Sequence, residues 1–234
     1  MWGREVDGQV LTFHLAGINN QNFLMRDSET GSYWQQISGR AISGPLKGKQ
    51  LAVIHWDELS FNLWRDENPQ GTVLLPVGKY ASQYAAKDWE EKMKKTPTVV
   101  DTKGTALTPR ELVIGLEVNG KARAYRHSYL LTQKLVQDRV GGEAIILVTA
   151  LDGKSIRAFL AELPGSGEVP DFYRNEQLGG GLLRDSVTGE EWNFSGCAVS
   201  GPLQGKCLAP VRIIKDYWFD WHLYHPQTTL YSPR

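Results

Sequence analysis

The stretch "SGPLKGKQLA" occupies residues 43–52, and "SGPLQGKCLA" occupies residues 200–209. Ten residues return nearly unchanged after 157 positions. Working outward, the kinship grows. "RDSETGSYW" (26–34) matches "RDSVTGEEW" (184–192), and after a one-residue slip "ISGRAISGPLKGKQLAV" matches "FSGCAVSGPLQGKCLAP". Trp64 then aligns with Trp221, Pro69 with Pro226, Gln70 with Gln227 and Thr72 with Thr229. A spacing held over so many positions marks an internal repeat, which decides the architecture before any single motif is read.

Each copy has a physical reading. "DSETG" and "DSVTG" are turn chemistry, with Asp and Ser bonding nearby backbone and Gly taking a left-handed position, so each predicts a hairpin loop. "SGPLKGK" predicts a second turn. "DELSFNLWRDENP" and "KDYWFDWHLYHP" space their aromatic and apolar residues at helical intervals and end at Pro, which predicts a short amphipathic helix. A short strand is expected next, "GTVLL" (71–75) or "TTLYS" (228–232).

Three further segments, "EVDGQVLTF" (5–13), "EVNGKARAY" (117–125) and "ALDGKSIRAF" (150–159), place Asp-Gly or Asn-Gly between extended runs, the strongest short-range hairpin signal. A helix is expected near "SYLLTQKLVQD" (128–138). The first copy has no counterpart of residues 111–148. The fold class is therefore mainly β, a β-rich α+β arrangement of two pseudo-symmetric copies of an antiparallel unit with short helices. The expected boundaries are 1–76 for the first, N-terminally incomplete copy, 77–110 for a polar connector with a helix-like stretch near 82–95, and 111–234 for the second, complete copy.

Composition narrows the function classes. Formal net charge is zero, which gives no basic field for nucleic acid. No apolar run approaches the ~20 residues of a membrane span, and "MWGREVDGQV" reads as no signal segment. Two cysteines allow neither a multi-bridge scaffold nor a Cys-rich zinc site. There is no G-x-S-x-G elbow, H-E-x-x-H, P-loop or dinucleotide fingerprint.

Candidate site residues gather in "FHLAGINNQNFLMRD" (13–27). Asn19, Asn20, Gln21 and Asn22 form an amide run whose paired donors and acceptors suit sugars, peptides or other neutral polar ligands. Arg26, Trp34 and Gln35 are candidates for the same cleft, Trp34 as a stacking surface. The competing reading is a loop bent by Asn residues. The corresponding stretch of the second copy, "YRNEQLGGGLLRD" (173–185), has fewer amides. His14 and His55 are candidate ligands for a transition metal, set against the commoner structural histidine. His222 and His225 stand three apart, set against a helix-end role. Cys197 and Cys207 lie symmetrically about Pro202, as cross-strand partners would, so both a disulfide and two free thiols are open. Two function classes remain: a binding or accessory module for a small polar ligand or protein partner, and a metal- or redox-linked enzyme centred near His14. The incomplete start of the first copy would leave a strand edge, which raises a homo-oligomer as a third expectation.

The succession from "VIGLEVNGKARAY" (113–125) through the "RDSxTG", "GPLxGK" and "HP" elements, with "TGSYWQQISGRAISGPLKGKQL" (30–51), resembles the bacterial domain-of-unknown-function family 3179 over nearly the whole chain. In that family the first copy begins with its own "NGxARAY"-like strand and a Cys-x-x-Cys segment. Neither thiol of that pair falls on a residue here, which puts a thiol redox role in doubt. The resemblance implies an extracytoplasmic location and no particular reaction.

Overall fold

A computed structural model of the chain describes residues 1–175 and 182–233. It is β-rich, with 34% of residues in strands against 15% in helices, as the hairpin and turn signals predict. Contacts gather it into two compact units built from separated segments. The first holds Met1–Asp57, Thr98–Glu111 and Asp216–Thr228; the second holds Glu58–Pro97, Leu112–Lys215 and Thr229–Arg234. The boundaries read from the sequence mark kinship, and these units mark packing.

The first unit opens with β1 (Glu5–Val6) and β2 (Gln9–Val10), an antiparallel pair turned by Asp7 and Gly8, both at positive φ. Then β3 (Phe13–Asn19), β4 (Asn22–Asp27), β5 (Tyr33–Gln35) and β6 (Ala41–Ser43) form an antiparallel sheet in chain order. Its core is Trp34 packed among Val6, Leu11, Ala41 and Leu51, with Phe13 edge-on to the indole at 5.7 Å.

One local device fixes this core. Asp27 is fully buried at the β4–β5 corner. Its carboxylate accepts the Thr30 N–H at 2.6 Å, the Thr30 hydroxyl at 2.8 Å, the Gly31 N–H at 3.1 Å and the Trp34 indole N–H at 2.8 Å. Asp185 repeats the pattern with the Val187 and Thr188 N–H groups, the Thr188 hydroxyl and the Trp192 indole at 2.9 Å. Burial alone would raise both carboxyls, but these donors outweigh it and hold both below the ordinary aspartate range. The spacing D-x-x-T-G-x-x-W is thus a buried carboxylate with its donors supplied in sequence.

In the second unit, α1 (Phe61–Glu67) starts at Ser60, whose hydroxyl accepts the Leu63 N–H. No residue of α1 is buried. The Arg157 guanidinium instead grips Glu67 through two bonds of 2.8 Å. The connector carries a 3-10 turn (Gly78–Gln83) and α2 (Trp89–Lys95). Next come β7 (Leu112–Val118) and β8 (Lys121–Arg126), turned by Asn119 and Gly120 at positive φ, and α3 (His127–Gln133). The main sheet comprises β9 (Leu135–Val140), β10 (Glu143–Thr149) and β11 (Ile156–Leu160). Then follow β12 (Phe172–Arg174), β13 (Leu183–Asp185), β14 (Glu191–Trp192), β15 (Pro210–Val211) and β16 (Ile213–Tyr217). Finally come α4 (Trp218–Tyr224) and β17 (Thr229–Leu230). Three sheets result, ordered β15-β11-β10-β9, β12-β13-β14 and β16-β7-β8-β17.

The hairpin expected at Asp152-Gly153 forms between β10 and β11, with Thr149 opposite Ile156, and Asp152 closes its loop by accepting the N–H groups of Lys154 and Ser155 and the Ser155 hydroxyl. Two expectations need correction. The helix expected over 128–138 stops at Gln133 because Lys134 turns left-handed at φ 63°, and Leu135 begins β9. The strand expected at 71–75 does not form, and Leu74 stands 96% exposed.

Cys197 faces Cys207 across an isolated antiparallel bridge, and their sulfurs are joined. Arg40 and Gln50 form the same bridge in the first copy. Gly39 and Gly196, which align in the repeat, both have positive φ; a Cβ there would strike the Trp2 and Phe159 rings respectively.

The carboxylate–indole device predicts that Trp192→Phe, which keeps most of the ring, lowers unfolding free energy by about 1.5–3 kcal/mol, the range for a hydrogen bond to a charged group. Trp34→Phe behaves alike. The lowered carboxyls add stability above the ordinary aspartate range that is lost on acidification. Urea denaturation of the variants checks this, and an unchanged midpoint would contradict it.

Candidate functional site

The amide run is a turn first. Asn20 and Gln21 both lie at positive φ, 51° and 67°, and close the β3–β4 hairpin between the paired Asn19 and Asn22. Asn tolerates that conformation through local side-chain bonding, which is why the run is amide-rich. The remaining amides bond within the first unit. Gln21 Oε1 accepts the Val99 N–H at 2.7 Å. Gln35 donates to Asn19 Oδ1 at 3.3 Å and accepts from the Ser38 hydroxyl at 2.9 Å. Arg26 donates to the Gly31 carbonyl and lies over the Tyr33 ring.

Trp34 offers no stacking surface, because it is wholly buried and gives its N–H to Asp27. His14 is exposed on β3, opposite Arg26. His55 sits 3.4 Å from Asp57. His222 and His225 pack on the indoles of Trp218 and Trp221, at 4.9 and 3.7 Å between ring centres. Among the described residues no group of three or more His, Cys, Asp or Glu gathers as a metal site would require. Of the corresponding stretch in the second copy, residues 176–181 lie outside the described residues.

Asn22 leads elsewhere. Its Nδ2 donates to Asp220 Oδ2 at 2.9 Å across 198 positions of chain. Asp220 lies on α4 among buried Trp218, Phe219 and Trp221, and is only 6% exposed. The segment Thr98–Glu111 sets that helix: the Trp218 and Phe219 N–H groups donate to the Glu111 and Pro109 carbonyls, and the Trp218 indole donates to Thr105. The Arg110 guanidinium lies over the Tyr217 and Phe219 rings at 5.0 and 4.7 Å.

Asp216 stands four residues before Asp220, and the two carboxyls interact electrostatically. Burial first, and the charge of Asp220 second, push the Asp216 carboxyl up to about 8. Burial also raises Asp220, moderated by Asn22, Asp216 and the Arg110 charge. The pair therefore holds a proton more tightly than ordinary aspartates do. Tyr224, one turn further along α4, has its hydroxyl raised by burial and by both carboxyls. Asn22 Oδ1, Asp220 Oδ1 and the Tyr224 hydroxyl are buried with no hydrogen-bond partner among the described residues. The arrangement offers two carbonyl or carboxyl oxygens and one hydroxyl, beside a carboxyl pair raised by burial.

Of the sequence candidates, only Asn22 belongs to this cluster; Asp216, Asp220, Tyr224 and Arg110 were missed. A signal was present. Asp216, Asp220 and Tyr224 recur at four-residue intervals inside an aromatic run, where the first copy has Leu59, Leu63 and Glu67.

Fold and site together define a β-rich protein of small antiparallel sheets with a buried carboxyl pair against a hairpin amide. Over residues 1–228 it matches the family described as "Protein of unknown function (DUF3179)", and the chain belongs to that family. No curated protein and no solved structure matches it.

The pair sets a pH dependence. The folded protein keeps a proton that the unfolded chain releases, so the pair's contribution to stability is full below 3.8 and declines as pH rises toward about 8. Asp216→Asn, neutral at every pH, removes this decline. Urea denaturation at about pH 5 and about pH 8 measures it. Equal slopes in wild type and variant would contradict the shared proton.

Proposed function

We propose that the chain is a binding module whose first compact unit takes a small, neutral, hydroxyl-bearing ligand at Asn22, Asp220 and Tyr224. One observation carries the reading: three side-chain atoms of these residues, gathered by one hydrogen bond and one helix face, are buried and unpartnered. Buried polar atoms in folded proteins are nearly always met by protein, water or ligand. Two of the three are acceptors, so the complementary group donates, as a hydroxyl does. The nearby Arg110 charge offsets Asp220, which favours a neutral ligand over a cation. Asn22 holds Asp220 by its Oδ2, which leaves Oδ1 for the ligand. Trp34 and His14 take no part.

The test is a thermal-shift screen of polyols, monosaccharides and short peptides, followed by calorimetric titration. At least one polyol or monosaccharide is expected to bind. Tyr224→Phe and Asn22→Ala are each expected to weaken it by roughly tenfold or more, the loss of one or two hydrogen bonds. Tyr224→Phe keeps the ring, so its effect separates contact from folding. Stabilisation by no hydroxyl-bearing compound, or binding that survives both substitutions, overturns the reading.

A further inference from the structure

The "GPLxGK" hairpin is built twice with the same backbone bonds. In the first copy the Ala41 N–H donates to the Lys49 carbonyl, the Gly48 N–H to Ala41 and the Leu51 N–H to Gly39. In the second, Ala198 donates to Lys206, Gly205 to Ala198 and Leu208 to Gly196. The first hairpin closes on Arg40 opposite Gln50 with no covalent link, whereas the second closes on the joined sulfurs of Cys197 and Cys207. The hairpin therefore forms without a disulfide.

The copies also differ beneath the hairpin tip. In the first, wholly buried Ser32 accepts the Leu46 N–H at 3.0 Å and bonds the Thr30 hydroxyl at 2.6 Å. Glu190 takes that place in the second. It is only 5% exposed, and its Oε1 accepts the Leu203 N–H at 3.0 Å. Gly201 is seated on the carboxyl so closely that a Cβ there would strike it. Its Oε2 is buried with no hydrogen-bond partner among the described residues. A buried polar atom left unmet costs free energy that water would recover. The hairpin over Glu190 thus bears a cost that the hairpin over Ser32 does not, and only the hairpin over Glu190 carries a disulfide.

We infer that the Cys197–Cys207 disulfide is a redox latch. Reduction by a dithiol releases residues 198–206 locally and opens the Glu190 carboxyl to water, while the rest of the second unit stays folded. Cys207 is exposed and Cys197 half-buried, so a thiolate attacks the Cys207 sulfur. The S–S bond breaks and Cys197 leaves as a thiolate. The second thiol of the reductant attacks the mixed disulfide and frees Cys207. The dithiol is oxidised to its own disulfide, and its two electrons and two protons end on the cysteines. Leu203, packed on the core around Trp192, leaves with the hairpin. The latch is independent of the ligand site at Asn22.

The probe is dithiothreitol added to the full chain in native buffer, with alkylation to count thiols and amide exchange read by mass spectrometry. Both cysteines are expected to become alkylated without denaturant. Exchange at residues 198–206 is expected to speed by roughly tenfold or more, with β9, β10 and β11 unchanged, as local opening requires. Cys197→Ser with Cys207→Ser should show the fast exchange without reductant. Glu190→Ser, which supplies the residue of the first copy, should keep the hairpin slow after reduction. A disulfide that reacts only once the chain is unfolded overturns the inference. So does reduction that leaves residues 198–206 unchanged, or that speeds exchange throughout the second unit, as loss of a structural staple would. Fast exchange in reduced Glu190→Ser also overturns it.

Discussion

The structure depends on two buried carboxylates that each hold a tryptophan in place. A charged oxygen in a dry core is costly unless donors surround it. Asp27 and Asp185 meet that condition with donors from their own turns and one indole N–H each. The turn satisfies the charge, and the charge orients Trp34 and Trp192 as the centres around which their sheets close. Because every donor lies within seven residues, the device assembles locally, before long-range pairing is needed.

The copies keep that device and diverge around it. Where Arg40 and Gln50 bridge in one, Cys197 and Cys207 are joined in the other. Where one has Leu59, Leu63 and Glu67, the other has Asp216, Asp220 and Tyr224. Glu67 holds its helix through Arg157, whereas Asp220 reaches Asn22 on a hairpin of the first copy. Thus α1 packs in the second unit and α4 in the first, each with segments of the other copy.

Much of the fold was legible because its signals are local. Asp7-Gly8 and Asn119-Gly120 turn as their dipeptides require, and "DSETG" specifies its own hydrogen bonds. Asp152-Gly153 also marks a hairpin, in a longer loop because Ser155 offers its N–H and hydroxyl to Asp152. The segment 71–75 misled because strand propensity needs a partner strand, and none stands beside it among the described residues. The site was harder to read because it is not local. Asn22 attracted notice as an amide, but its significance comes from Asp220, 198 residues away. Trp34 was assigned to a ligand because its burial by the surrounding strands leaves no mark in the sequence, although Asp27, seven residues before it, was its partner.

The central claim is that the chain contains two kinds of buried aspartate, one kept ionised by donors and one kept neutral chiefly by burial, with a neighbouring carboxyl adding to it. Carbon-13 NMR of the aspartate side-chain carboxyls, followed through a pH titration, distinguishes them residue by residue. The account predicts that Asp27 and Asp185 remain ionised below the ordinary aspartate range, while Asp216 loses its proton only near pH 8. Titration of Asp216 and Asp220 together in the ordinary carboxyl range would contradict the shared proton, and with it the site built around Asn22.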